Sequence, residues 1–322
     1  MSVGEVLDAI ASPDNAVRRA VELLQAGEVV ALPTETVYGL AGDAGNVQAV
    51  AKIFAAKNRP HFDPLIVHVK DRAQAEQVAI LEDDLAERLL EAFWPGPLTV
   101  LLPKRDSIPE LVTSGSLLVA VRSPSHPVFR AVLEALNRPL AAPSANPFGR
   151  ISPTTAEHVR LGLGDKIALI LDGGPSRHGL ESTIVYPLNG ELHLLRKGPV
   201  TQEELEAFGP VKVTSAAGKK AAPGQLTSHY APGKPLFLVD GPGRVRDRRQ
   251  AGYLAWKEKP VGFAASEVLS ASGDPVEAAA NLFAALHRLD AAPVERIYAE
   301  KIPGTGLGAA IQDRLTRAAA GR

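Results

Sequence analysis

Residues 32–69 constrain the fold more than any other stretch, because strand, helix and strand patterns follow one another there. The apolar run Val29–Leu32 predicts a buried strand that ends at Pro33. Apolar residues at helical spacing predict a helix from Val47 to Ala56, and Leu65–Val69 reads as the next strand. This order is typical of an α/β fold, in which helices cover a sheet.

The first strand is followed by polar and flexible residues. Three hydroxyl side chains, those of Thr34, Thr36 and Tyr38, lie within five positions. Gly39 and Gly42 come next, and we interpret them as a place of close backbone approach or as a turn.

The predicted helix is followed by Lys57, Asn58, Arg59 and Pro60. Pro60 disfavours a helical conformation at Arg59, and in extended backbone residues i and i+2 point the same way. We therefore expect Lys57 and Arg59 to form a pair of cations near His68, an arrangement suited to a phosphate chain. The alternative is that both are surface cations favoured by the helix dipole.

Composition limits the classes of protein that remain. The 322 residues predict about two domains, and a net charge of −1 argues against a surface that grips nucleic acid throughout. The chain has no cysteine, which excludes disulfides, Cys-ligated zinc, iron–sulfur clusters and thiol nucleophiles. The first residues predict no secretory signal, and no apolar run reaches membrane-spanning length. We expect a soluble, cytoplasmic protein without membrane contact.

Pattern and composition divide the chain into three parts. Residues 1–210 alternate strands and helices, and they include a hairpin predicted around Asn189-Gly190. Residues 211–235 are rich in glycine, proline and lysine, lack periodicity and are interpreted as a linker. Residues 236–322 alternate again and predict a small parallel-sheet domain.

Several common signatures of enzymes are absent from the sequence. It contains no Walker A loop, no H-E-x-x-H and no G-x-S-x-G. A G-x-G-x-x-A match at Gly304, Gly306 and Ala309 is interpreted as a turn, because too little chain follows for a dinucleotide-binding unit.

The remaining chemistry lies in polar residues at predicted strand ends of the first domain. They are Thr36, Lys57, Arg59, His68, Arg122, Ser144, Asn146, Ser152, Ser182 and Arg196. Each alone is also compatible with a turn or surface role. Together they supply cations and hydroxyls without paired carboxylates, which favours binding of an anionic substrate and phosphoryl or nucleotidyl transfer.

Longer motifs resemble a known family. PTETVYGL, KNRP with DPLIVHV, WPGPLT, VAVRSPSHP, APSANPFGRISPT, LESTIV and LLRKGP resemble the YrdC-type domain. PGQLTSHYAP and LFAALHRLD with LGAAIQDRL resemble the two-domain threonylcarbamoyl-AMP synthases. The resemblance implies an α/β fold: a YrdC-like catalytic domain (1–210) with a twisted mixed sheet and a concave basic cleft, a linker or lid (211–235), and a Rossmann-like parallel-sheet domain (236–322).

The resemblance also implies a reaction and its partners. L-threonine, bicarbonate and ATP would give threonylcarbamoyl-adenylate and pyrophosphate, with no protein nucleophile. Mg²⁺ would be held mainly by the ATP phosphates, so no protein metal site is expected. Other proteins would transfer the threonylcarbamoyl group to tRNA beside the anticodon, and a weak direct contact with tRNA stays open.

Site residues carry over from the resemblance by position. The L-threonine set is Thr36, His68, Arg122, the backbone at Ala142, and Ser182, with Arg122 facing the carboxylate. The ATP set is Lys57, Arg59, Asp63, Leu118, Ser144, Ser152, Arg196, His229 and Tyr230. Lys57 and Arg59 would be the catalytic pair, Leu118 could act only through its main chain, and His229 with Tyr230 would belong to a lid that excludes water.

Two other functions remain to be separated from this one. A carbamoyl-adenylate-forming enzyme of hydrogenase maturation also has a YrdC-like domain, but would need a longer chain with cysteine-rich zinc motifs. An RNA-binding module without catalysis is weakened by the near-zero net charge and the 5% aromatic content.

Overall fold

The computed structural model describes residues 4–214 and 229–320. These residues form two units. The first contains the described residues of Met1–Phe148, Pro153–Ser176 and Glu181–Gln225. The second contains those of Gly149–Ser152, Arg177–Leu180 and Leu226–Arg322.

The first unit has strands and helices in mixed order. Its strands are β1 (Glu5–Asp8), β2 (Val30–Leu32), β3 (Gly39–Asp43), β4 (Ile66–His68), β5 (Leu98–Pro103), β6 (Leu118–Arg122), β7 (Leu140–Ala141), β8 (Leu169–Asp172), β9 (Thr183–Leu188), β10 (Glu191–Arg196) and β11 (Val211–Val213). Its helices are α1 (Pro13–Gln25), α2 (Val47–Lys57), α3 (Arg72–Ala75), α4 (Asp84–Phe93), α5 (Glu110–Thr113), α6 (Pro127–Leu136), α7 (Ala156–Leu163) and α8 (Gln202–Glu206).

The eleven strands form one mixed sheet in the order β1-β8-β2-β3-β7-β4-β6-β5-β9-β10-β11. β4 and β6 run parallel, so their last residues, His68 and Arg122, are direct register partners. β5 and β9 are also parallel, and Leu98 at the start of β5 is the register partner of Thr183 at the start of β9. Ser182 directly precedes Thr183, so it lies beside the start of β5. Strand pairing therefore gathers several of the sequence-predicted polar residues.

Helix α2 packs closely on the sheet. The Asn46 side chain caps its first turn by accepting hydrogen bonds from the backbone N–H groups of Gln48 and Ala49. A Cβ atom at Gly42 would lie 3.3 Å from Ile53 and 3.5 Å from Ala49. Gly42 lies within β3, so of our two interpretations the close approach is confirmed and the turn is wrong.

The end of α2 differs from the sequence-based expectation. The helix continues through Lys57, and Asn58 closes it in the left-handed conformation with φ 51°. The N–H of Arg59 donates to the carbonyl of Phe54. Because Lys57 is helical and Asn58 is left-handed, the extended run that would point Lys57 and Arg59 the same way does not form.

The second unit has a parallel sheet in the order β12-β15-β13-β14. Its elements are β12 (Leu236–Val239), β13 (Ala251–Ala255), β14 (Ala265–Val268), α9 (Pro275–Ala291), β15 (Arg296–Glu300) and α10 (Gly306–Ala319), with 3-10 turns at Pro242–Arg244 and Arg248–Gln250. Leu282, Phe283 and Leu286 on α9 are buried. The mixed sheet of the first domain and the parallel sheet of the second are thus confirmed.

Two local predictions near the end of the first domain have different outcomes. The hairpin is confirmed, because β9 and β10 pair antiparallel around Asn189-Gly190. The predicted linker begins at residue 211, and its first residues, Val211–Val213, form β11, which adds to β10 in parallel register. Residues 215–228 of the predicted linker lie outside the described residues.

The helices carry no sign of membrane insertion. Among residues 4–214 and 229–320, no helix combines the length and the apolar character that crossing a bilayer requires.

Candidate active site

Arg122 is the centre of a buried polar cluster in the first unit. Its side chain is 4% exposed. Nε donates to the carbonyl of Gly96 at 3.2 Å, Nη1 donates to Oγ1 of Thr36 at 2.8 Å, and Nη2 donates to Oε1 of Glu35 at 2.7 Å. These contacts fix the plane of the guanidinium.

A chain of hydroxyls supports the Thr36 contact. Thr34 Oγ1 lies 2.6 Å from the carbonyl of Val37 and donates to it. Its oxygen therefore accepts from the hydroxyl of Thr36, 2.8 Å away. The hydroxyl proton of Thr36 is then committed to Thr34, and its oxygen stays oriented towards Arg122.

Glu35 is the anion of this cluster. Burial raises the pKa of its carboxyl, but the charge and hydrogen bond of Arg122 outweigh burial, so the pKa lies below its usual value. The backbone N–H groups of Glu35 and Ser125 lower it in smaller measure. Neither makes a hydrogen bond to Oε2, which has no partner within the part of the chain that the structure describes.

His68 is neutral in this cluster. Burial is the main cause that lowers its pKa, and the positive charge of Arg122 adds to it, giving a value of about 3. The imidazole packs against the ring of Phe129 with centroids 5.1 Å apart. Its Nδ1 atom is buried without a hydrogen-bond partner among the described residues. A neutral ring therefore presents an unfilled polar atom beside Arg122.

Ser182 is held by the side chain of Arg196. Nε of Arg196 donates to the carbonyl of Ser182 at 2.9 Å, and Nη2 donates to its Oγ at 3.0 Å. Oγ of Ser182 also lies 2.7 Å from Oγ1 of Thr99. The structure thus joins a residue predicted for the threonine set to one predicted for the ATP set.

Lys57 is the centre of a second buried cluster. Its residue is 1% exposed, and Nζ donates to the carbonyls of Ser144 and Asn146 at 2.5 Å each. Burial lowers the pKa of the ammonium well below its usual value, and the charge of Arg59 lowers it further. The carboxylates of Asp63 and Glu181 act in the opposite direction.

Arg59 lies close to Lys57, although the backbone between them is not extended. Its Nη2 contacts Oδ2 of Asp63 at 2.9 Å and donates to the carbonyl of Pro64 at 2.8 Å. The guanidinium also lies 5.9 Å from the ring centroid of Phe148. The predicted proximity of two cations is therefore reached through tertiary contacts.

Residues 142–146 run from strand β4 to the Lys57 cluster. The N–H of Ala142 donates to the carbonyl of Ile66 at the start of β4. Two residues later, the carbonyl of Ser144 accepts from Lys57.

Leu118 lies at the start of β6, and its N–H donates to the hydroxyl oxygen of Ser116.

Three predicted ATP residues belong to the second unit. Ser152 is buried, and its carbonyl accepts from Nε2 of His287 at 3.2 Å. His229 and Tyr230 are buried with ring centroids 4.1 Å apart. Arg314 packs over the Tyr230 ring at 5.1 Å. The structure places these residues in the second unit, and their role in binding ATP stays a prediction.

The described residues contain no group of three or more His, Asp or Glu side chains that could hold a metal ion. Asp63 and Glu181 are the carboxylates whose charges act on Lys57. Two carboxylates that face buried cations fit a Mg²⁺ that arrives bound to phosphate oxygens, but do not make a protein cage for it.

Sequence reasoning missed four contributors to these clusters. They are Glu35, the carbonyl of Gly96, Thr99 and Glu181. Glu35 had a signal, since it lies between two of the hydroxyl residues already singled out. Gly96 and Thr99 lie in the WPGPLT motif and Glu181 in LESTIV, but nothing in the sequence links them to their partners, which are distant along the chain.

Comparison with family models matches nearly all of the chain. Residues 22–198 match a family described as telomere recombination. Residues 200–320 match the C-terminal domain of threonylcarbamoyl-AMP synthase.

Individual proteins are similar over the same extent. A threonylcarbamoyl-AMP synthase of Bacillus subtilis is 41% identical over 99% of this chain and 97% of its own length. One from Pyrococcus abyssi is 41% identical over 94% of this chain and 93% of its own. The crystal structure of P. abyssi Sua5 complexed with L-threonine superposes with a TM-score of 0.87 at 37% identity, covering 95% of this chain and 94% of that one.

Proposed function

The chain belongs to the threonylcarbamoyl-AMP synthase family, and on that premise we propose how its residues carry out the reaction. L-threonine, bicarbonate and ATP are converted to threonylcarbamoyl-adenylate, pyrophosphate and water. The amine of threonine forms a carbamate with bicarbonate, and a carbamate oxygen then attacks the α-phosphorus of ATP as pyrophosphate leaves.

The Arg122 cluster binds threonine. A guanidinium has five N–H groups, and Arg122 uses three of them in the contacts already described. One N–H is left on each terminal nitrogen, and a carboxylate can accept both. The unfilled polar atom of His68 lies beside this position and serves the polar groups of the same small ligand.

The Lys57 cluster binds the triphosphate. Burial, and after it the charge of Arg59, lower the pKa of Lys57, so the cluster favours an incoming anion that would stabilise both charged side chains. Phosphate oxygens would take the ammonium and guanidinium N–H groups, which stabilises charge that develops on the leaving pyrophosphate. Mg²⁺, when bound with the nucleotide, would neutralise part of that charge.

No protein nucleophile is required in this scheme. The chain lacks cysteine, and the hydroxyl of Thr36 donates within the hydroxyl chain while its oxygen faces Arg122. The protein's contribution is to hold two ligands next to each other and to stabilise charge. The adenylate would then be passed to separate proteins that modify tRNA beside the anticodon, and we expect this to occur in the cytoplasm.

One observation carries the proposal: segment 142–146 is bound at one end to the strand that ends at His68 and at the other end to Lys57. Through Ala142 it contacts the start of β4, the strand that ends at His68, and through Ser144 and Asn146 it accepts hydrogen bonds from Lys57. An amino-acid site and a phosphate site on one short segment are what a condensation of threonine with ATP requires.

The test is release of pyrophosphate from ATP by the full chain with Mg²⁺. We expect release to depend on both L-threonine and bicarbonate, because the nucleophile is formed from the two. Arg138→Ala is a matched control, because this arginine is 54% exposed and its Asp43 partner lies outside both clusters.

The other two functions predict different outcomes. A carbamoyl-adenylate-forming enzyme would release pyrophosphate with carbamoyl phosphate in place of threonine and bicarbonate. An RNA-binding module would release none under any condition. Either result would contradict the proposed reaction.

A further inference from the structure

The carboxylate of Glu35 has two oxygen atoms in different situations. Oε1 accepts from Nη2 of Arg122 at 2.7 Å. Oε2 is buried and has no hydrogen-bond partner in the described ranges 4–214 and 229–320. A buried carboxylate oxygen without a donor is costly, so its persistence indicates a place for one.

The missing donor can be identified from the surrounding charges. Arg122 keeps the carboxylate ionised, so Oε2 favours an N–H donor that carries positive charge. His68 is neutral, and the hydroxyls of Thr34 and Thr36 are committed to each other and to Val37. These neighbours therefore do not supply the positive donor that Oε2 favours, and a ligand must bring it.

An α-amino acid has both charges in the required order. Its carboxylate suits the N–H groups left on the terminal nitrogens of Arg122, and its ammonium lies one carbon away from that carboxylate. Glu35 is bound to the same guanidinium, so its second oxygen lies next to the carboxylate position.

We propose that Glu35 is a substrate-binding residue that selects the ammonium group: Oε1 orients Arg122 and Oε2 accepts a hydrogen bond from the α-ammonium of the amino acid. The inference rests on the proposed function in that it assumes an amino-acid ligand at Arg122. Held in this way, the nitrogen that must react with bicarbonate has a fixed position.

The test compares two ligands by calorimetry on the full chain. One is L-threonine, and the other is its α-hydroxy analogue, in which a hydroxyl replaces the ammonium. We expect Glu35→Gln to weaken L-threonine binding about 10- to 100-fold, the effect of losing a hydrogen bond to a charged group. Binding of the analogue should change little, so the preference of the wild type for threonine should largely disappear.

Controls separate this role from a structural one. If Glu35 only oriented Arg122, Glu35→Gln would weaken both ligands alike and the preference would persist, which overturns the proposal. Glu28→Gln is the matched control, because Glu28 precedes strand β2 whereas Glu35 follows it, and the Glu28 side chain is 42% exposed and paired with Lys52. It should bind both ligands as the wild type does.

If Glu35→Gln does not fold, Glu35→Asp replaces it. The shorter side chain keeps the charge but does not reach both groups, so the same loss of preference is expected.

Two further results keep the inference distinct from the proposed reaction. A wild type that binds threonine but releases no pyrophosphate contradicts the reaction alone. A wild type that binds threonine no better than the analogue contradicts the role of Glu35.

Discussion

The Arg122 and Lys57 clusters both bury a cation, but they stabilise it in different ways. Arg122 is paired with a carboxylate, that of Glu35, and its three contacts fix its plane. Lys57 donates instead to two backbone carbonyls. After burial, the largest influence on its pKa is the charge of another cation, Arg59.

The difference indicates two kinds of binding site. The Arg122 cluster has its charges balanced before a ligand arrives, so it can position a zwitterion with little change in charge. In the Lys57 cluster, burial first and the charge of Arg59 second lower the pKa of the ammonium, although the carboxylates of Asp63 and Glu181 act in the opposite direction. Such a site is relieved by a polyanion.

Breaking the Arg122 pair should have the largest effect on both binding and stability. Arg122→Ala leaves Glu35 buried without its cation, and we expect a loss of about 3–5 kcal/mol in the free energy of unfolding. Threonine binding should become undetectable by calorimetry, because the donor of its carboxylate is gone. Urea unfolding measures the loss in the free energy of unfolding.

Arg160→Ala is the control for this prediction. Its ion pair with Glu157 is exposed on both sides, with side-chain exposures of 43% and 57%, so the loss should be below about 1 kcal/mol. Equal losses in the two variants would show that burial of the Arg122 pair does not distinguish it.

Removing Lys57 should affect nucleotide use more than threonine binding. For Lys57→Met we expect kcat/KM for ATP to fall about 100- to 1000-fold, the range for removing one electrostatic stabiliser. Threonine affinity should change little, because Arg122 is untouched. Steady-state kinetics and calorimetry check the two parts.

The lowered pKa of Lys57 adds a second measurement. Triphosphate favours the charged ammonium, so it should raise this pKa, and ATP binding should be accompanied by proton uptake at a pH where the free lysine is partly deprotonated. Calorimetry in buffers of different ionisation enthalpy detects it. Lys52→Met, on the exposed side of the same helix, should keep the uptake, and its persistence in Lys57→Met would exclude Lys57 as the source.

The smallest effect is expected from the pH dependence of His68. Its pKa is about 3 in the folded chain against 6.5 for an ordinary histidine. As pH falls, the histidine of the unfolded chain therefore binds a proton before that of the folded chain does. The contribution of the neutral His68 to the free energy of unfolding is complete above pH 6.5 and is lost towards pH 3.

Urea unfolding at two pH values tests this dependence. Between pH 6.5 and about pH 5, the free energy of unfolding of the wild type should fall by about 1.5 kcal/mol more than that of His68→Gln. His193→Gln, at a partly exposed position beside Thr214, should behave as the wild type. A wild type and a His68→Gln variant with the same pH dependence would show that His68 is not held neutral.

Local patterns in the sequence predicted much of the fold. The apolar runs indicated most of the strands and the longer helices of both domains, and Thr201 with Glu204 forms a capping box at α8 as their spacing predicts. The strands β1, β3, β11 and β13, the short helices α3 and α5, and the end of α2 were not predicted. β3 contains two glycines, and α2 ends at an asparagine in the left-handed conformation. Both features depend on packing against neighbouring elements, which the local sequence pattern does not show.

The sequence by itself determined which polar residues are available, which chemistry the lack of cysteine excludes, and which family the motifs resemble. The tertiary structure alone decided that Glu35 pairs with Arg122 across 87 positions and that Lys57 donates to carbonyls 87 and 89 positions away. The physical reason is that burial makes each charge depend on partners brought by other strands, and a linear pattern carries no information about which partners those are.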